Sequence, residues 1–133
     1  MHPMLSYRAP SAAAPRAAWP LYARPDRWHE WAPHVRGARG LGTPEVEAGR
    51  RGTVLLLGLV PLPARVVAKE PERSWTWRVG PVEMVHRIEP RERGCTVALD
   101  LLAPSGIEAV VGLVYGPLIR LLLRNLARVA GRG

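Results

Sequence analysis

The sequence has a single cysteine, Cys95, and no phenylalanine among its 133 residues. One cysteine excludes an intramolecular disulfide and is too few for a zinc site built from several thiolates. A nucleophile elbow, a phosphate-binding loop and a two-cysteine zinc pair are also missing. His29 and His34 are separated by Pro33 and match no standard metal-site spacing. We therefore expect no metal, no cofactor and no redox role.

Long apolar runs and a leader segment are missing as well. The longest apolar run covers residues 109–119, about half the length that a bilayer span requires, and it contains Gly112, Gly116 and Pro117. Residues 1–10 have no apolar stretch of signal-peptide length. We therefore expect a cytoplasmic protein without a membrane span.

Lysine is nearly absent, so the positive charge comes from arginine. The chain carries 19 basic and 11 acidic residues, a formal charge of +8, and Lys69 is its only lysine. This bias accompanies abundant alanine, glycine and proline, a pattern typical of a GC-rich genome. Because the arginines are spread along the chain and not gathered with aromatic residues on one stripe, we expect no nucleic-acid partner.

The remaining composition is that of an ordinary globular protein, with 47% hydrophobic and 23% charged residues. The length predicts a single domain over residues 1–133. Residues 4–9 predict a first strand, and two short helices are expected over residues 13–22 and 25–31. Ser11 is the expected N-cap of the first helix, and Pro20 is expected to kink or shorten it.

Six short runs of β-forming residues follow, and turn residues separate them at the spacing of successive hairpins. Several runs alternate with period two, so that Trp75 and Trp77 share one strand face, as do Met84 and His86 in the next strand. The pattern predicts an antiparallel meander. Its strands are expected over residues 35–41, 52–59, 62–69, 74–79, 83–89 and 95–102.

From residue 107 onward the apolar residues follow a helical period, which predicts a long amphipathic C-terminal helix. Gly116-Pro117 in its middle predicts a kink. The spacing of Gly112 and Gly116 predicts close packing of this helix on the sheet. The fold class is therefore α+β, with a curved antiparallel sheet around a long C-terminal helix.

Three segments carry a resemblance to a known family. Residues 28–35 resemble the tryptophan-rich second helix of the polyketide cyclase/dehydratase-like branch of the START-like (SRPBCC) superfamily. Residues 75–80 and 84–90 resemble its paired mid-sheet strands. The resemblance covers residues 4–129 and implies the helix-grip fold, with a deep apolar cavity between sheet and C-terminal helix. Members use that cavity for lipids, polyketides, hormones or quinone-like molecules, and many bind or carry without catalysis.

A hydrophobic small molecule is therefore the expected partner. The residues predicted to contact it are Trp28, Trp31, Leu57, Trp75, Trp77, Met84, His86, Val114, Tyr115, Leu118 and Leu122. The alternative for Trp28 and Trp31 is that they only attach a short helix to the sheet. The alternative for His86 is a buried imidazole that a backbone carbonyl or water satisfies. Leu57 lies in an apolar segment that is also a candidate membrane contact or homodimer edge.

The sequence leaves three functions open. The first is binding of a lipid-, polyketide- or isoprenoid-like molecule, which His86 and the tryptophan N–H groups would orient. The second is a cyclase or dehydratase with His86 as acid/base, although no carboxylate on the same predicted strand face would orient the imidazole. The third is a basic module for RNA, ribosome or acidic membrane, which would use Arg120, Arg124 and Arg128.

Overall fold

The computed structural model describes residues 4–32, 35–56 and 60–132. No helix within these ranges has the length and apolarity needed to cross a membrane. The elements follow the predicted order of a strand, two short helices, six strands and a long helix. They are β1 (Met4–Ser11), α1 (Pro15–Ala23), a 3-10 helix (Pro25–Glu30), β2 (Val35–Arg39), β3 (Arg51–Leu56), β4 (Val60–Glu70), β5 (Ser74–Val79), β6 (Val82–Pro90), β7 (Cys95–Leu102) and α2 (Ile107–Arg132).

The seven strands form one antiparallel sheet in the order β1-β7-β6-β5-β4-β3-β2. Strands β2 to β7 are paired in chain order as successive hairpins. The first strand, β1, pairs with the last, β7, and Tyr7 lies opposite Leu99 there. Helix α2 packs against β1 and β7, and α1 packs against β6 and α2. This arrangement confirms the predicted α+β class and the helix-grip architecture.

The first strand is longer than predicted, because β1 continues through Pro10 to Ser11. Proline is tolerated there because β1 lies at the edge of the sheet, where one row of backbone groups has no ladder partner. The prediction that Ser11 caps α1 is wrong, since the helix begins at Pro15 after Ala14. Ser11 Oγ donates to the Ala127 carbonyl oxygen at 2.8 Å and thereby joins β1 to α2.

The two short helices differ in detail from the prediction. Pro20 does not end α1, which runs on to Ala23. The second element is a tight 3-10 helix that ends at Glu30, not an α-helix that ends at Trp31. The strand bounds agree with the predicted bounds to within one or two residues wherever the structure describes the strand end.

Helix α2 approaches the sheet closely at Gly116. The helix runs without interruption through Pro117 to its end. A Cβ atom on Gly116 would lie 3.0 Å from Tyr7 Oη, which is tighter than an ordinary van der Waals contact. The close packing predicted from Gly112 and Gly116 is therefore confirmed at Gly116.

Tyr22 attaches α1 to the sheet. Its side chain is fully buried, and its hydroxyl donates to the Ala98 carbonyl oxygen of β7 at 2.6 Å. Burial raises the pKa of the phenol, and the charge of Asp100 raises it further. The hydroxyl therefore keeps its proton and remains a hydrogen-bond donor.

We predict that Tyr22→Phe lowers the free energy of unfolding by about 1–2 kcal/mol, because it removes a buried hydrogen bond. Urea denaturation measures the change. The control is Tyr115→Phe, since that ring is about half exposed on α2, and the expected change is below about 0.5 kcal/mol. Equal small effects of both substitutions would contradict the attachment by Tyr22.

Candidate functional site

A cavity of about 260 Å³ lies between the inner face of the sheet and α2. Nine of the residues predicted to contact a ligand line it: Trp28, Trp31, Trp75, Trp77, Met84, His86, Tyr115, Leu118 and Leu122. Leu57 and the side chain of Val114 lie outside what the structure describes, so their contacts stay predictions. The cavity lies beside Gly116-Pro117, since Tyr115 and Leu118 both line it.

Eight further residues line the cavity and are absent from the predicted set. They are Ala32, Val54, Leu62, Val79, Val82, Leu99, Ile119 and Leu123. Strand alternation predicts Val79 as a lining residue, because it follows Trp77 by two residues and therefore lies on the same strand face. Leu99 is different, because its position depends on its register opposite His86 in the β6–β7 pair.

Strand register explains why the aromatic residues meet. In the β5–β6 pair, Trp75 lies opposite His86 and Trp77 lies opposite Met84. Residues directly opposite each other in antiparallel strands project to the same face, so the four side chains form two successive layers on the inner face. The wall predicted from alternation in each separate strand is thus one continuous surface.

Three of the indole N–H groups bind main-chain carbonyls at the end of α1. Trp28 Nε1 and Trp75 Nε1 both donate to the Tyr22 carbonyl oxygen at 3.0 Å, and Trp31 Nε1 donates to the Leu21 oxygen at 2.7 Å. The last carbonyls of a helix have no partner within the helix, so they need outside donors. The expectation that these three N–H groups orient a ligand is therefore wrong. Trp28 and Trp31 both attach the helices and line the cavity.

Trp77 differs from the other three cavity tryptophans. Its Nε1 is buried and has no hydrogen-bond partner among the residues that the structure describes. Buried donors are rarely left without a partner in folded proteins, so this N–H group is an exception that the described residues do not explain.

The rings form a layered aromatic surface. The Trp75 and His86 rings stack with centroids 3.7 Å apart and planes 3° apart, and the Trp28 ring is parallel to that of Trp75. Trp77 stands nearly perpendicular to all three rings, at centroid distances of 5.3–5.5 Å. The edge-to-face contacts of Trp77 have a preferred geometry for aromatic pairs.

Among the described residues on the strand walls of the cavity, His86 is the one ionisable group. Its Nδ1 lies 3.1 Å from the Trp75 carbonyl oxygen. Burial lowers the pKa of His86 to about 3, against a smaller opposite effect of that hydrogen bond. The imidazole is therefore neutral at physiological pH, as in the alternative of a buried histidine satisfied by a carbonyl.

The charged neighbours of His86 lie on the opposite face of the sheet. Arg87 Nε and Nη2 donate to the Asp100 carboxylate at 2.6 and 3.0 Å, and Ser6 Oγ donates to it at 2.7 Å. Arg87 also pairs with Glu89. Strand alternation thus keeps this charge cluster on the outer face, away from the cavity.

Metal binding has no support in the described ranges, where no group of three or more His, Cys, Asp or Glu side chains is placed to hold an ion. His29 is exposed on the 3-10 helix. His34 lies outside the described residues.

The sheet, the long helix packed against it and the apolar cavity between them define a helix-grip protein of the START-like class. Within that class, the chain belongs to the family described as polyketide cyclase / dehydrase and lipid transport, which it matches over residues 4–131. Family and fold together indicate binding of a hydrophobic ligand or a polyketide cyclase-like function. No functionally curated protein matches the sequence.

Solved structures share the fold at low sequence identity. Protein MLL2253 from Mesorhizobium loti has a TM-score of 0.80 at 12% identity, with 98% of each chain covered. A norcoclaurine synthase mutant from Thalictrum flavum has a TM-score of 0.66 at 10% identity, covering 98% of this chain and 94% of that one. Ara h 8.0201 has a TM-score of 0.76 at 8% identity over 100% of both chains. At these identities the likeness shows the fold alone.

The low pKa of His86 predicts a pH-dependent stability. The folded protein keeps this imidazole neutral down to about pH 3, whereas a histidine in the unfolded chain takes up a proton near pH 6.5. The unfolded state therefore binds more protons in this window, and stability falls as the pH is lowered through it. Between pH 7 and pH 5 the contribution of His86 lowers the free energy of unfolding by roughly 2 kcal/mol.

Urea denaturation of the wild type and His86→Phe at both pH values measures that contribution. We expect His86→Phe to lose most of the pH dependence over this interval. His29→Gln changes an exposed histidine and serves as the control with wild-type behaviour. Parallel pH profiles of His86→Phe and the wild type would show that the buried imidazole is not the source.

Proposed function

We propose that this protein binds an apolar small molecule in the cavity between the sheet and α2. The observation that carries the proposal is the cavity itself, which aromatic and aliphatic side chains line from both sides. Burial of apolar ligand surface there contributes about 25 cal/mol per Å² before the costs of ordering. Tyr115, about half exposed at the cavity, is placed to lie at its mouth.

The cavity volume limits the size of the ligand. An engineered apolar cavity of about 150 Å³ binds benzene. A cavity of about 260 Å³ therefore suits a compact molecule of two or three rings better than a diacyl lipid.

The geometry disfavours the cyclase or dehydratase alternative with His86 as acid/base. With its pKa lowered to about 3, the imidazole is not in its acidic imidazolium form at neutral pH, and it is a weak base. Arg87 holds the Asp100 carboxylate on the outer face, where it does not orient the imidazole. Binding without chemistry at His86 is the simpler function of this site.

The arginine stripe of α2 leaves the third alternative open. Arg120, Arg124 and Arg128 are exposed. The Arg120 guanidinium lies 5.6 Å from the centre of the Tyr7 ring, and Arg128 donates to Asn125 Oδ1 at 3.1 Å. Two of the three groups thus have partners within the protein. A basic interaction module stays a prediction. It requires binding to RNA, ribosome or acidic membrane that weakens steeply as the salt concentration rises.

Binding of naphthalene tests the proposed function without any polar contact. Shifts of the indole N–H signals in nuclear magnetic resonance spectra measure the dissociation constant. We expect saturable binding with the largest shifts at Trp75 and Trp77. Leu122→Trp places a larger side chain on the helix wall of the cavity and should weaken binding by about tenfold or more.

Leu121→Trp is the matched control, because the neighbouring side chain is 53% exposed and does not line the cavity. Its affinity for naphthalene should stay within about twofold of the wild type. Absence of saturable binding to the wild type, or equal affinities of the two variants, would show that the cavity is not the site.

A further inference from the structure

His86 presents a hydrogen-bond acceptor to the cavity. A carbonyl oxygen only accepts, so the Nδ1 atom that lies 3.1 Å from the Trp75 oxygen must carry the hydrogen. In a neutral imidazole the other nitrogen, Nε2, then has a free lone pair. No donor from the described residues reaches Nε2, and the ring lines the cavity.

Trp77 packs edge-on against this imidazole. The Trp77 and His86 ring centres are 5.5 Å apart, with the planes nearly perpendicular. The free lone pair of His86 Nε2 needs a hydrogen-bond donor, and a hydroxyl group on a ligand supplies one.

The described lining of the cavity has nothing to balance a ligand charge. Its residues carry no carboxylate, ammonium or guanidinium group. Burying an unpaired ion is far more costly than burying a hydroxyl that is hydrogen-bonded. An anionic or cationic ring compound is therefore a poor ligand.

We propose that the ligand is an uncharged ring compound carrying a hydroxyl group, which donates to His86 Nε2. This inference rests on the proposed binding function and gives it a ligand class. It makes His86 a specificity residue that distinguishes a hydroxyl from an ether or a carboxylate.

Three matched probes test the ligand class at pH 7: 2-naphthol, 2-methoxynaphthalene and 2-naphthoate. The ether keeps the oxygen acceptor and loses the donor, and the carboxylate adds a charge. We expect 2-naphthol to bind about tenfold more tightly than the ether, since the ether leaves Nε2 without a partner, and naphthoate to bind weakest. Equal affinities for alcohol and ether would overturn the inference.

Binding of naphthalene distinguishes a failure of the hydroxyl recognition from a failure of the proposed binding function. If naphthalene binds but the alcohol has no advantage over the ether, the cavity function stands and the hydroxyl recognition fails. If naphthalene and all three probes fail to bind, the proposed function itself fails.

Two variants test whether His86 causes the preference for the alcohol. His86→Phe should bring the affinities for alcohol and ether to within about twofold of each other. His29→Gln, a change at an exposed histidine outside the cavity lining, should keep the preference. A hydroxyl preference that persists in His86→Phe would overturn the role of His86.

A spectroscopic measurement on the wild type keeps the test independent of variant folding. We expect 2-naphthol to shift the His86 Nε2 resonance in nitrogen spectra, because a new hydrogen bond forms at this atom, while naphthalene leaves it nearly unchanged. The same shift with both probes would contradict a bond from the hydroxyl to Nε2.

Discussion

The last carbonyls of α1 must find donors outside the helix, and this requirement organises the site. The Tyr22 oxygen receives two indole N–H groups, one from the 3-10 helix and one from β5, and the Leu21 oxygen receives a third. These bonds also satisfy the indole N–H groups, which need partners when they are buried. The three tryptophans are fixed by these bonds, and mainly their carbon atoms line the cavity.

Strand alternation completes the separation of polar from apolar groups. Neighbouring residues of β6 project to opposite faces, so His86 faces the cavity while Arg87 joins Asp100 and Ser6 outside. The inner face keeps an acceptor, His86 Nε2, that has no partner among the described residues. A site so poor in polar groups is suited to selecting a ligand by shape and by one hydrogen bond.

Local periodicity was enough to predict much of this architecture. Alternation placed Trp75, Trp77 and His86 on inner faces, and the helical period placed Leu118 and Leu122 on the opposite wall. The partners of the indole N–H groups could not be predicted, because Tyr22 and Trp75 lie far apart in sequence and meet only through packing. Ser11 shows the same limit, since a residue typical of a cap instead binds α2.

A crystal structure of the complex with 2-naphthol tests the central claim most directly. We expect the fused rings to pack against Trp75 and Trp77 and the hydroxyl oxygen to lie about 3 Å from His86 Nε2. A cavity filled by side chains, or a probe bound with its hydroxyl turned away from His86, would contradict it.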